Sequence, residues 1–599
     1  MYVIDVIPFA AGAPAGALSY RSKDFLETGT LVGVPLRKKR VRGIVVSCSS
    51  VQEAKAQIKK ADFSLSGSIE VLGTLPEVIR TAVSRIAVYH AASVGSVYQQ
   101  LLGSMLAEEI PEQLTAGAGY ALKKTEAPYL ARIETYAKEI KETEGTTLLL
   151  LPTLAELARA KEILKEFRPV VLSSAAAPAQ RAHAIRRALA SPKLILATPA
   201  YLALPVPELS LVILDRISAG AYRFPKRPYI DTGVAARFLA EARSVPLLLG
   251  DFPLPLEYRD TKKLDSSTLG AISVLNVAEQ EEKQGATFKA VPDVLIGSIR
   301  EALSSGGRVA VLSARRGYAP AVVCRTCGAS VRDSQGRALT LATHKGERVL
   351  RSSDGKTIQD ADAVCDLCGS WNLLPLGIGV ERVCEELTAL FPDAPLVRFD
   401  TDSIRTPAMA RKAVEAFEVP GSIAVGTEFM LPWLSSASPL QLAVVASADS
   451  LLALPFWRSR ERFLRILLTL REKAEKTIVA TRRMDDSALH AAEHPEEESF
   501  FEEEAALRRA LGYPPYGTLL TVSATGSRDQ LEKAATRITE IAGANSLHSL
   551  PEKGLVPRGF MRTWVVQLPE GVWPEATLSR ALSGLPPSFR VLIDPDSLQ

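Results

Sequence analysis

Four cysteines stand in two closely spaced pairs, and this pattern is the clearest chemical signal in the 599-residue chain. Cys324 and Cys327 form one CxxC pair, Cys365 and Cys368 form the other, and a glycine follows each pair. Two thiolates at this spacing approach one metal ion, and two such pairs supply the tetrahedral set that structural zinc takes. The sequence therefore predicts one structural zinc ion, the alternative being four unligated thiols.

The predicted zinc site is closed and structural. Four thiolates leave no open position on the metal for a water molecule or a substrate, so no catalytic role is expected. The 37 residues between the two pairs leave room for hairpins, and a module this polar needs a metal in place of a core. In a reducing compartment, paired cysteines favour a metal over disulfides.

A phosphate-binding loop of the form GxxxxGK[ST] does not occur in the chain. Such a loop is needed because glycine amides cradle the phosphates while the lysine neutralises their charge. The nearest string, from Leu350 to Thr357, has leucine in place of the first glycine and lies between the cysteine pairs, where a β-turn is expected. ATP is therefore not an expected cofactor.

Composition and charge indicate an ordinary globular protein. Hydrophobic residues make up 47% of the chain, and its 71 basic and 67 acidic residues leave a net charge of +4. Any surface for nucleic acid must therefore be a local cluster of cations. The N-terminus has no basic region before its apolar stretch, and no segment reaches the ~20 apolar residues that span a bilayer. We expect a cytoplasmic protein with no membrane partner.

Short apolar runs alternate with amphipathic helices over the middle of the chain. They predict strands at 147–153, 169–174, 193–199, 209–215 and 245–250, then at 308–314, 394–400, 421–427, 440–449 and 476–481. Continuous apolar strands separated by helices indicate parallel sheets covered on both faces. Two α/β lobes in series are predicted, the usual frame of a superfamily 2 helicase motor.

The two ends of the chain have other patterns. The first forty-odd residues indicate short strands, with the basic run from Arg37 to Arg42 at the tip of a hairpin, and a helical stretch follows from Glu77 to Glu109. From about Gly517 strands and helices alternate in a compact α+β domain. The predicted fold class is an α/β multidomain protein with a β-rich N-terminal domain, two RecA-like lobes, a zinc-ribbon insertion and a C-terminal α+β domain.

Several short motifs occur along the chain in a fixed order. They are RRGYAPA (315–321), GIGVER (377–382), FDTD (399–402), GTE (426–428), FWRSRER (456–462), YPPY (513–516) and DPDSL (594–598). Tyr20, Gly29, Val34-Pro35 and Gly43 add matches near the N-terminus. These motifs resemble those of the PriA family, the primosomal replication-restart helicases, and the resemblance spans essentially the whole chain.

The resemblance implies six segments. They are a 3′-DNA-binding domain (1–110), a degenerate first helicase lobe (111–255), the start of the second lobe (256–320), the zinc-binding module (321–372), the rest of the second lobe (373–490) and the C-terminal α+β domain (491–599). PriA proteins typically have eight cysteines and two metals. The four cysteines here imply a single zinc ion.

The departures from the family pattern fall on its ATPase motifs. The strand 209–215 ends in Asp215-Arg216 where the family has D-E-x-H, so a cation replaces the acid that positions the attacking water. Residues 250–253 read GDFP in place of G-S-A-T-P, and residues 467–474 lack the paired arginines of the family's finger helix. Where the family has its phosphate-binding loop, residues 125–145 form a helix-like sequence without a glycine loop. We therefore expect no ATP hydrolysis and no catalytic residues.

A basic surface is the candidate for binding DNA. Phosphate contacts release counterions, and the expected residues are Arg37, Lys38, Lys39, Arg40, Arg42, Tyr20, Lys59, Lys60, Arg315 and Arg316. The alternative for the hairpin is an edge strand protected by its charges. The family's 3′-end pocket uses F-D-Y where this chain has Leu18-Ser19-Tyr20, so binding of forks or single strands is expected rather than capture of a 3′ end.

The leading functional hypothesis is a scaffold without motor activity. The resemblance implies binding of forked or single-stranded DNA and assembly of the replication machinery with primosome or replication-restart proteins. One alternative is an active 3′-to-5′ ATP-dependent DNA helicase with a divergent nucleotide site. Another is a structural partner of a different helicase, with little affinity for DNA of its own.

Overall fold

The computed structural model describes most of the chain. The described residues are 1–10, 16–36, 39–52, 69–103, 105, 111, 114–260, 263–278, 289–314, 321–324, 326–327, 331, 339–344, 347–352, 358–360, 363–365, 368–376, 379–434, 439–452, 457–550, 553–554 and 559–598.

The N-terminal domain is an antiparallel sheet followed by two helices. Its strands are β1 (Tyr2–Pro8), β2 (Leu18–Ser22), β3 (Thr30–Leu36), β4 (Lys39–Ser50) and β5 (Glu70–Thr74), in the order β2-β1-β4-β3-β5. The helices are α1 (Glu77–Tyr89) and α2 (Val94–Leu102). The helical stretch predicted from Glu77 to Glu109 is therefore broken, since α1 ends at His90 and α2 begins after Ser93.

The first lobe is a six-stranded parallel sheet in the order β6-β11-β10-β7-β9-β8. Its strands are β6 (Leu122–Glu126), β7 (Thr146–Leu150), β8 (Val170–Leu172), β9 (Leu194–Ala197), β10 (Leu209–Asp215) and β11 (Leu247–Asp251). Its helices are α3 (Tyr129–Glu142), α4 (Leu154–Ile163), α5 (Pro178–Leu189) and α6 (Thr232–Arg243).

The central strands of this sheet contain continuous apolar runs, such as 148–150 of β7 and 211–214 of β10, because both faces of the sheet are covered. Leu148 and Leu150 of β7 pack into the core on one face, while Leu149 packs into a separate core on the other. Successive side chains of a strand point to opposite faces, so a strand between two layers of helices needs an unbroken apolar run. The edge strand β6, Leu122-Lys-Lys-Thr-Glu126, has no such run and was missed in the sequence.

The second lobe repeats this plan in the order β12-β22-β21-β13-β20-β19, again with all strands parallel. Its strands are β12 (Ala271–Asn276), β13 (Val309–Leu312), β19 (Leu396–Phe399), β20 (Ile423–Gly426), β21 (Leu440–Val445) and β22 (Ala474–Thr481). Its helices are α7 (Asp293–Ser304), α8 (Val380–Leu390), α9 (Pro407–Phe417), α10 (Ala448–Leu452), α11 (Ser459–Lys473) and α12 (Ser487–Glu493).

A small cysteine module is inserted between β13 and α8 of the second lobe. The strands β14 (Ala321–Cys324) and β18 (Leu373–Leu376) pair antiparallel and frame the module. A three-stranded antiparallel sheet lies between them, formed by β15 (Leu339–His344), β16 (Glu347–Ser352) and β17 (Ile358–Asp360).

The C-terminal domain is an antiparallel sheet with helices, preceded by α13 (Ser499–Leu511). Its elements are β23 (Gly517–Gly526), α14 (Arg528–Ala542), β24 (Ser546–Ser549), β25 (Lys553–Gly554), β26 (Phe560–Pro569), α15 (Ala576–Ser583) and β27 (Phe589–Ile593). This domain packs on α1, since the indole Nε1 of Trp573 donates to the carbonyl of Tyr89 at 3.0 Å.

The fold class predicted from the sequence is confirmed. All ten strands predicted for the two lobes are present within a few residues, and the parallel pairing follows the prediction. The edge strands β6 and β12 are additions. Among the helices of the described part of the chain, none has the length and apolar character needed to cross a membrane.

Candidate metal centre and interlobe cleft

The four cysteines of the two CxxC pairs converge on one point. The sulfur of Cys324 lies 3.6 Å from that of Cys368, and the sulfur of Cys327 lies 3.7 Å from that of Cys365. All four sulfur atoms lie within 4.8 Å of one another. Sulfurs around a tetrahedral zinc at about 2.3 Å would be about 3.8 Å apart, so the cluster fits such an ion without rearrangement.

Local backbone structure brings the two cysteine pairs together. Cys324 is the last residue of β14 and pairs with Leu373, which begins β18 just after the second pair. The second pair sits on a tight turn in which the N–H of Gly369 donates to the carbonyl of Cys365 at 2.8 Å. Gly369 has a φ of +70°, a conformation that glycine adopts without steric cost. The CxxCG pattern thus predicts both the ligands and the turn that aims them.

The backbone of the first turn favours the thiolate form of Cys324. Hydrogen bonds from the backbone of Cys327, and then of Thr326, lower the pKa of the Cys324 thiol to about 6. A cation-binding thiol must be deprotonated, and backbone N–H donors stabilise its negative charge. The cluster can therefore hold a metal ion.

The connection between β6 and α3 occupies the place where a phosphate-binding loop would lie. The strand ends at Glu126 and the helix begins at Tyr129, so only Ala127 and Pro128 lie between them. Two residues cannot wrap around a phosphate with several backbone amides. This geometry agrees with the prediction of a helix-forming sequence without a glycine loop at residues 125–145.

The strand β10 ends in Asp215, a carboxylate that is fully buried and already bonded. Arg132 of α3 donates through Nε to its Oδ1 at 2.8 Å, and the hydroxyl of Tyr136 donates to the same oxygen at 2.8 Å. Arg132 also donates to the carbonyl of Ala127 at 2.6 Å. An internal guanidinium thus neutralises the acid that would otherwise hold a magnesium ion.

Tyr136 reaches Asp215 only because β11 has a glycine beside it. A Cβ atom at Gly250 would lie 1.7 Å from the Tyr136 hydroxyl, so any other residue there would displace the ring. Asp251, the next residue, accepts the backbone N–H of Ser218 at 2.7 Å. The end of β11 is thus bound to the loop after β10.

Arg216 forms a second internal pair beside the first. It donates through Nε and Nη2 to the two carboxylate oxygens of Glu156 at 2.6 and 3.0 Å, a bidentate arrangement. Its φ of 53° is a left-handed conformation that costs a non-glycine residue roughly 1–2 kcal/mol. Glu156 is held in turn by the hydroxyl of Thr153, which caps α4. The cation that replaces the catalytic acid is therefore a fixed part of the structure.

Four of these residues, Arg132, Glu156, Arg216 and Asp251, line a cavity of about 880 Å³ between the two lobes. Five of its arginines each lie within 4 Å of a carboxylate, in the pairs Arg132–Asp215, Arg216–Glu156, Arg351–Asp402, Arg462–Glu428 and Arg465–Glu461. Paired charges attract a polyanion weakly, because each cation is already neutralised by its neighbour. The interlobe cleft is therefore rich in charges and nearly self-neutralised.

The helix α11 contributes one further cation, Lys473, to the cleft. Its Nζ donates to the carbonyl of Leu434 at 3.0 Å, and burial lowers the pKa of Lys473 to about 8. Arg471 of the same helix turns elsewhere and donates through Nε to the carbonyl of Gly270 at 2.8 Å. The segment that resembles the family's finger helix therefore presents no arginine to the cleft.

The described part of the basic hairpin lies at the surface. Lys39 and Arg40 begin β4 with exposed side chains, and Arg42 is half-buried. Arg40 also lies 3.7 Å from Glu70 of the edge strand β5. Six of the predicted DNA-binding residues lie outside the described residues, namely Arg37, Lys38, Lys59, Lys60, Arg315 and Arg316.

The prediction for Tyr20 needs a correction in its structural role. The ring is only 6% exposed, packs in the core of the N-terminal sheet, and its hydroxyl donates to the carbonyl of Pro35 at 3.0 Å. Ser19, which replaces the family's aspartate, donates to Asp5 at 2.7 Å. A ring used in this way supports the sheet and cannot stack on a base.

Three residues that bind Asp215 or Arg216 beside the cleft were not predicted from the sequence. They are Arg132, Tyr136 and Glu156. A signal for Arg132 was present, because it lies on the buried stripe of α3 with Tyr129, Ile133 and Tyr136. A cation at helical spacing within an apolar stripe indicates a buried acid elsewhere in the fold. The identity of that acid, Asp215, depends on a contact across 83 residues and is not readable from the pattern.

The fold and the two sites define a two-lobed α/β protein with parallel sheets, an interlobe cleft and a four-cysteine module in its second lobe. Its relatives include the replication restart protein PriA of Thermotoga maritima, 27% identical over 80% of this chain, and that of Rickettsia conorii, 23% identical over 86%. The chain is similar to PriA proteins over most of its length.

The matches cover the relatives to different extents. The alignment spans 66% of the Thermotoga protein, 85% of the Rickettsia protein and 44% of the PriA protein of Bacillus subtilis, which is 26% identical over 56% of this chain. No family model matches the chain.

Solved structures with a similar arrangement include the Hef helicase domain of Pyrococcus furiosus and a DEAD box protein of Methanococcus jannaschii. Each is 11% identical over 63% of this chain with a TM-score of 0.29, and the match covers 95% and 85% of those chains. The assignment of the fold rests on the strand order of the two parallel sheets.

Proposed function

We propose that this chain is a replication-restart protein that binds forked or single-stranded DNA and helps to assemble the replication machinery without hydrolysing ATP. Its relatives named as replication restart proteins support the restart role. Primosome or other replication-restart proteins are its proposed partners. The cytoplasm is its proposed location.

The observation that supports the absence of hydrolysis is the buried pair of Asp215 and Arg132. A magnesium ion at this carboxylate would have to displace a guanidinium that is 5% exposed and bonded at 2.8 Å. The two-residue connection before α3 leaves no loop for the phosphates. Because positioning and charge stabilisation supply nearly all of phosphoryl-transfer catalysis, losing both should abolish turnover.

The cysteine cluster is proposed to hold one structural zinc ion. Four sulfur ligands in a tetrahedral array favour zinc over the hard cations, which prefer oxygen. The ion would link the β14–β18 pair to the turn at Gly369 and so keep the module folded on the second lobe. It supplies structure and no reactive position.

The proposed DNA surface is the tip of the β3–β4 hairpin, from Arg37 to Arg42, extended by Lys59, Lys60, Arg315 and Arg316. Among its described residues, Lys39 and Arg40 are exposed and can reach phosphates. Each phosphate contact releases counterions, so binding should weaken steeply as salt rises. Tyr20 is left out of the surface because it is buried.

A charge-reversal experiment tests this surface. Replacing Lys39 and Arg40 with glutamate should weaken binding to a forked duplex and lower the slope of log affinity against log salt by roughly two, about one per lost contact. Replacing Lys533 and Arg537 of α14 with glutamate is the matched control, since both are exposed and lie in the C-terminal domain. If both double variants bind the forked duplex with the same affinity, the proposed DNA surface is wrong.

The second candidate function is an active 3′-to-5′ ATP-dependent helicase with a divergent nucleotide site. The cavity between the lobes favours it, since about 880 Å³ is enough to enclose a nucleotide. Titration of a fluorescent ATP analogue with magnesium and forked DNA separates the two candidates. The scaffold predicts no saturable binding, and saturable binding that Lys473→Gln weakens would favour the helicase.

A further inference from the structure

Side chains from both lobes contact the segment that joins them, residues 252–260. Phe252 follows the last strand of the first lobe, yet its ring packs in the core of the second lobe. The N–H of Leu254 donates to Glu126 of β6 at 2.8 Å, and the carbonyl of Pro253 accepts from Arg465 of α11 at 3.4 Å. The joint is therefore buried and bonded on both sides.

Arg259 is the central residue of this joint. Its Nε donates to Glu126 of the first lobe at 2.9 Å, and its Nη1 and Nη2 donate to both oxygens of Glu498 at 2.7 and 3.1 Å. Its Cζ lies 3.6 Å from the ring centroid of Phe501 on α13. The side chain is only 3% exposed, so these contacts are shielded from solvent and salt.

A second buried network lies beside the first and uses Glu257 of the same segment. Arg458, just before α11, pairs with Glu257, and Nη1 of Arg508 lies 3.8 Å from it. Arg508 is 1% exposed and also binds Glu461 at 2.5 Å and Glu504 at 2.9 Å. The joint, the second lobe and α13 are thus connected by charges that cannot separate without leaving a buried ion unpaired.

Such a joint is unlike the hinge of a two-lobed motor. Hinges are a few loop residues that absorb large changes in backbone angles, and they are found where contacts are sparse. Buried ion pairs contribute little net stability, but they enforce one geometry, since breaking one strands a charge in a low-dielectric interior. The contacts of Arg259 and Glu257 therefore oppose rotation of one lobe against the other.

We propose that Arg259 staples the two lobes together and keeps the interlobe cleft at one width whether or not a ligand is present. It is held between Glu126 of the first lobe and Glu498 at the start of α13, a helix whose Phe500 and Phe501 pack in the core of the second lobe. The chain then presents its hairpin and its cysteine module at a fixed separation. This inference goes beyond the proposed function. Its test variants change Arg259 and Glu498, which lie outside the segments that replace the ATPase motifs, so either can fail without the other.

Pulsed EPR between the lobes tests the staple. Spin-labelled unnatural amino acids replace exposed Ser174 in the first lobe and exposed Glu415 on α9 in the second. We expect one narrow distance distribution that stays in place when forked DNA or magnesium with a non-hydrolysable ATP analogue is added. In Arg259→Met, which keeps the contact with Phe501 but loses both ion pairs, the distribution should broaden or shift.

Two further variants keep the test decisive. Glu498→Gln removes one charge and keeps the side-chain volume, so it should broaden the distribution even if Arg259→Met does not fold. Arg237→Met is the matched control, because Arg237 pairs with Glu241 on the exposed face of α6 at 3.5 Å. A wild-type distribution that is broad or moves with ligand would overturn the staple. So would folded Arg259→Met and Glu498→Gln proteins that both match the wild type.

Discussion

The cysteine module and the interlobe cleft are both concentrations of chemically reactive side chains, but they are composed in opposite ways. The module gathers four thiols of one kind. Each sulfur of the first CxxC pair lies 3.6 or 3.7 Å from a sulfur of the second pair. The cleft gathers arginines and carboxylates in pairs, such as Arg132 with Asp215 and Arg216 with Glu156. Four like donors need a cation between them, whereas opposite charges satisfy each other.

This difference shows which site could still take a ligand. Four thiolates this close would repel one another unless a metal ion neutralised them, so the module is suited to hold an ion. In the cleft the protein supplies both the acid and its counter-ion. The chain therefore has one cluster that could hold a metal ion, whereas acids at the cleft are paired with its own arginines.

Removing the metal should produce the largest effect. Structural zinc sites contribute about 10–16 kcal/mol of binding energy, so Cys327→Ser or a strong chelator should release one zinc per chain and unfold the module. Hydrogen exchange should then speed up in β14–β18 while the two parallel sheets stay protected. Metal content by mass spectrometry and exchange by peptide mapping measure both results.

Cys48→Ser is the matched control for the metal prediction, since Cys48 lies in β4, far along the chain from the cluster. It should keep its zinc and its exchange pattern. A protein that binds no zinc, or a Cys327→Ser protein that retains it, would contradict the contrast between the two sites.

Breaking the cleft's central pair should cost less. Arg132→Met leaves the carboxylate of Asp215 buried with only Tyr136 as a partner, and we expect a loss of about 3–5 kcal/mol in the free energy of unfolding. Arg132→Met combined with Asp215→Leu should recover much of that loss, because an apolar pair replaces an unpaired ion. Urea denaturation of the two single variants and the double variant gives the coupling. If the losses of the two single variants simply add in the double variant, Arg132 and Asp215 are not energetically coupled.

The smallest expected effect is the change in the free energy of unfolding with pH that Lys473 causes. Burial lowers the pKa of this lysine to about 8 in the folded chain, so its contribution is favourable above the unfolded pKa and is lost as pH falls through about 8. Between pH 7 and 9 the unfolded chain holds this proton while the folded chain releases it, which raises stability by about 1 kcal/mol. Lys473→Met should lack this rise when unfolding is followed at both pH values, and an identical rise in the variant would contradict the assignment.

The sequence predicted the lobes well because their strands are governed by local rules. An unbroken apolar run such as 211–214 of β10 needs a sheet covered on both faces, and the structure has it. The edge strand β6 escaped because four of its five residues are polar, so it contains no apolar run. The break between α1 and α2 escaped because the apolar spacing continues past His90.

The convergence of the four cysteines was predictable to the residue, and the pairing of Arg132 with Asp215 at the cleft was not. The CxxCG pattern encodes both ligands and turn within a few residues. The absence of a phosphate-binding loop was also readable, since it is a missing string. The contact between Arg132 and Asp215 forms because α3 lies against β10. The spacing of residues along the chain does not indicate a tertiary contact of this kind.

The most direct test of the central claim is ATP turnover by zinc-loaded protein in the presence of forked DNA. With Asp215 bound to Arg132 and no phosphate-binding loop, the predicted rate equals that of the buffer with DNA alone and is unchanged in Asp215→Asn. Steady DNA-stimulated turnover that Asp215→Asn abolishes would contradict the account.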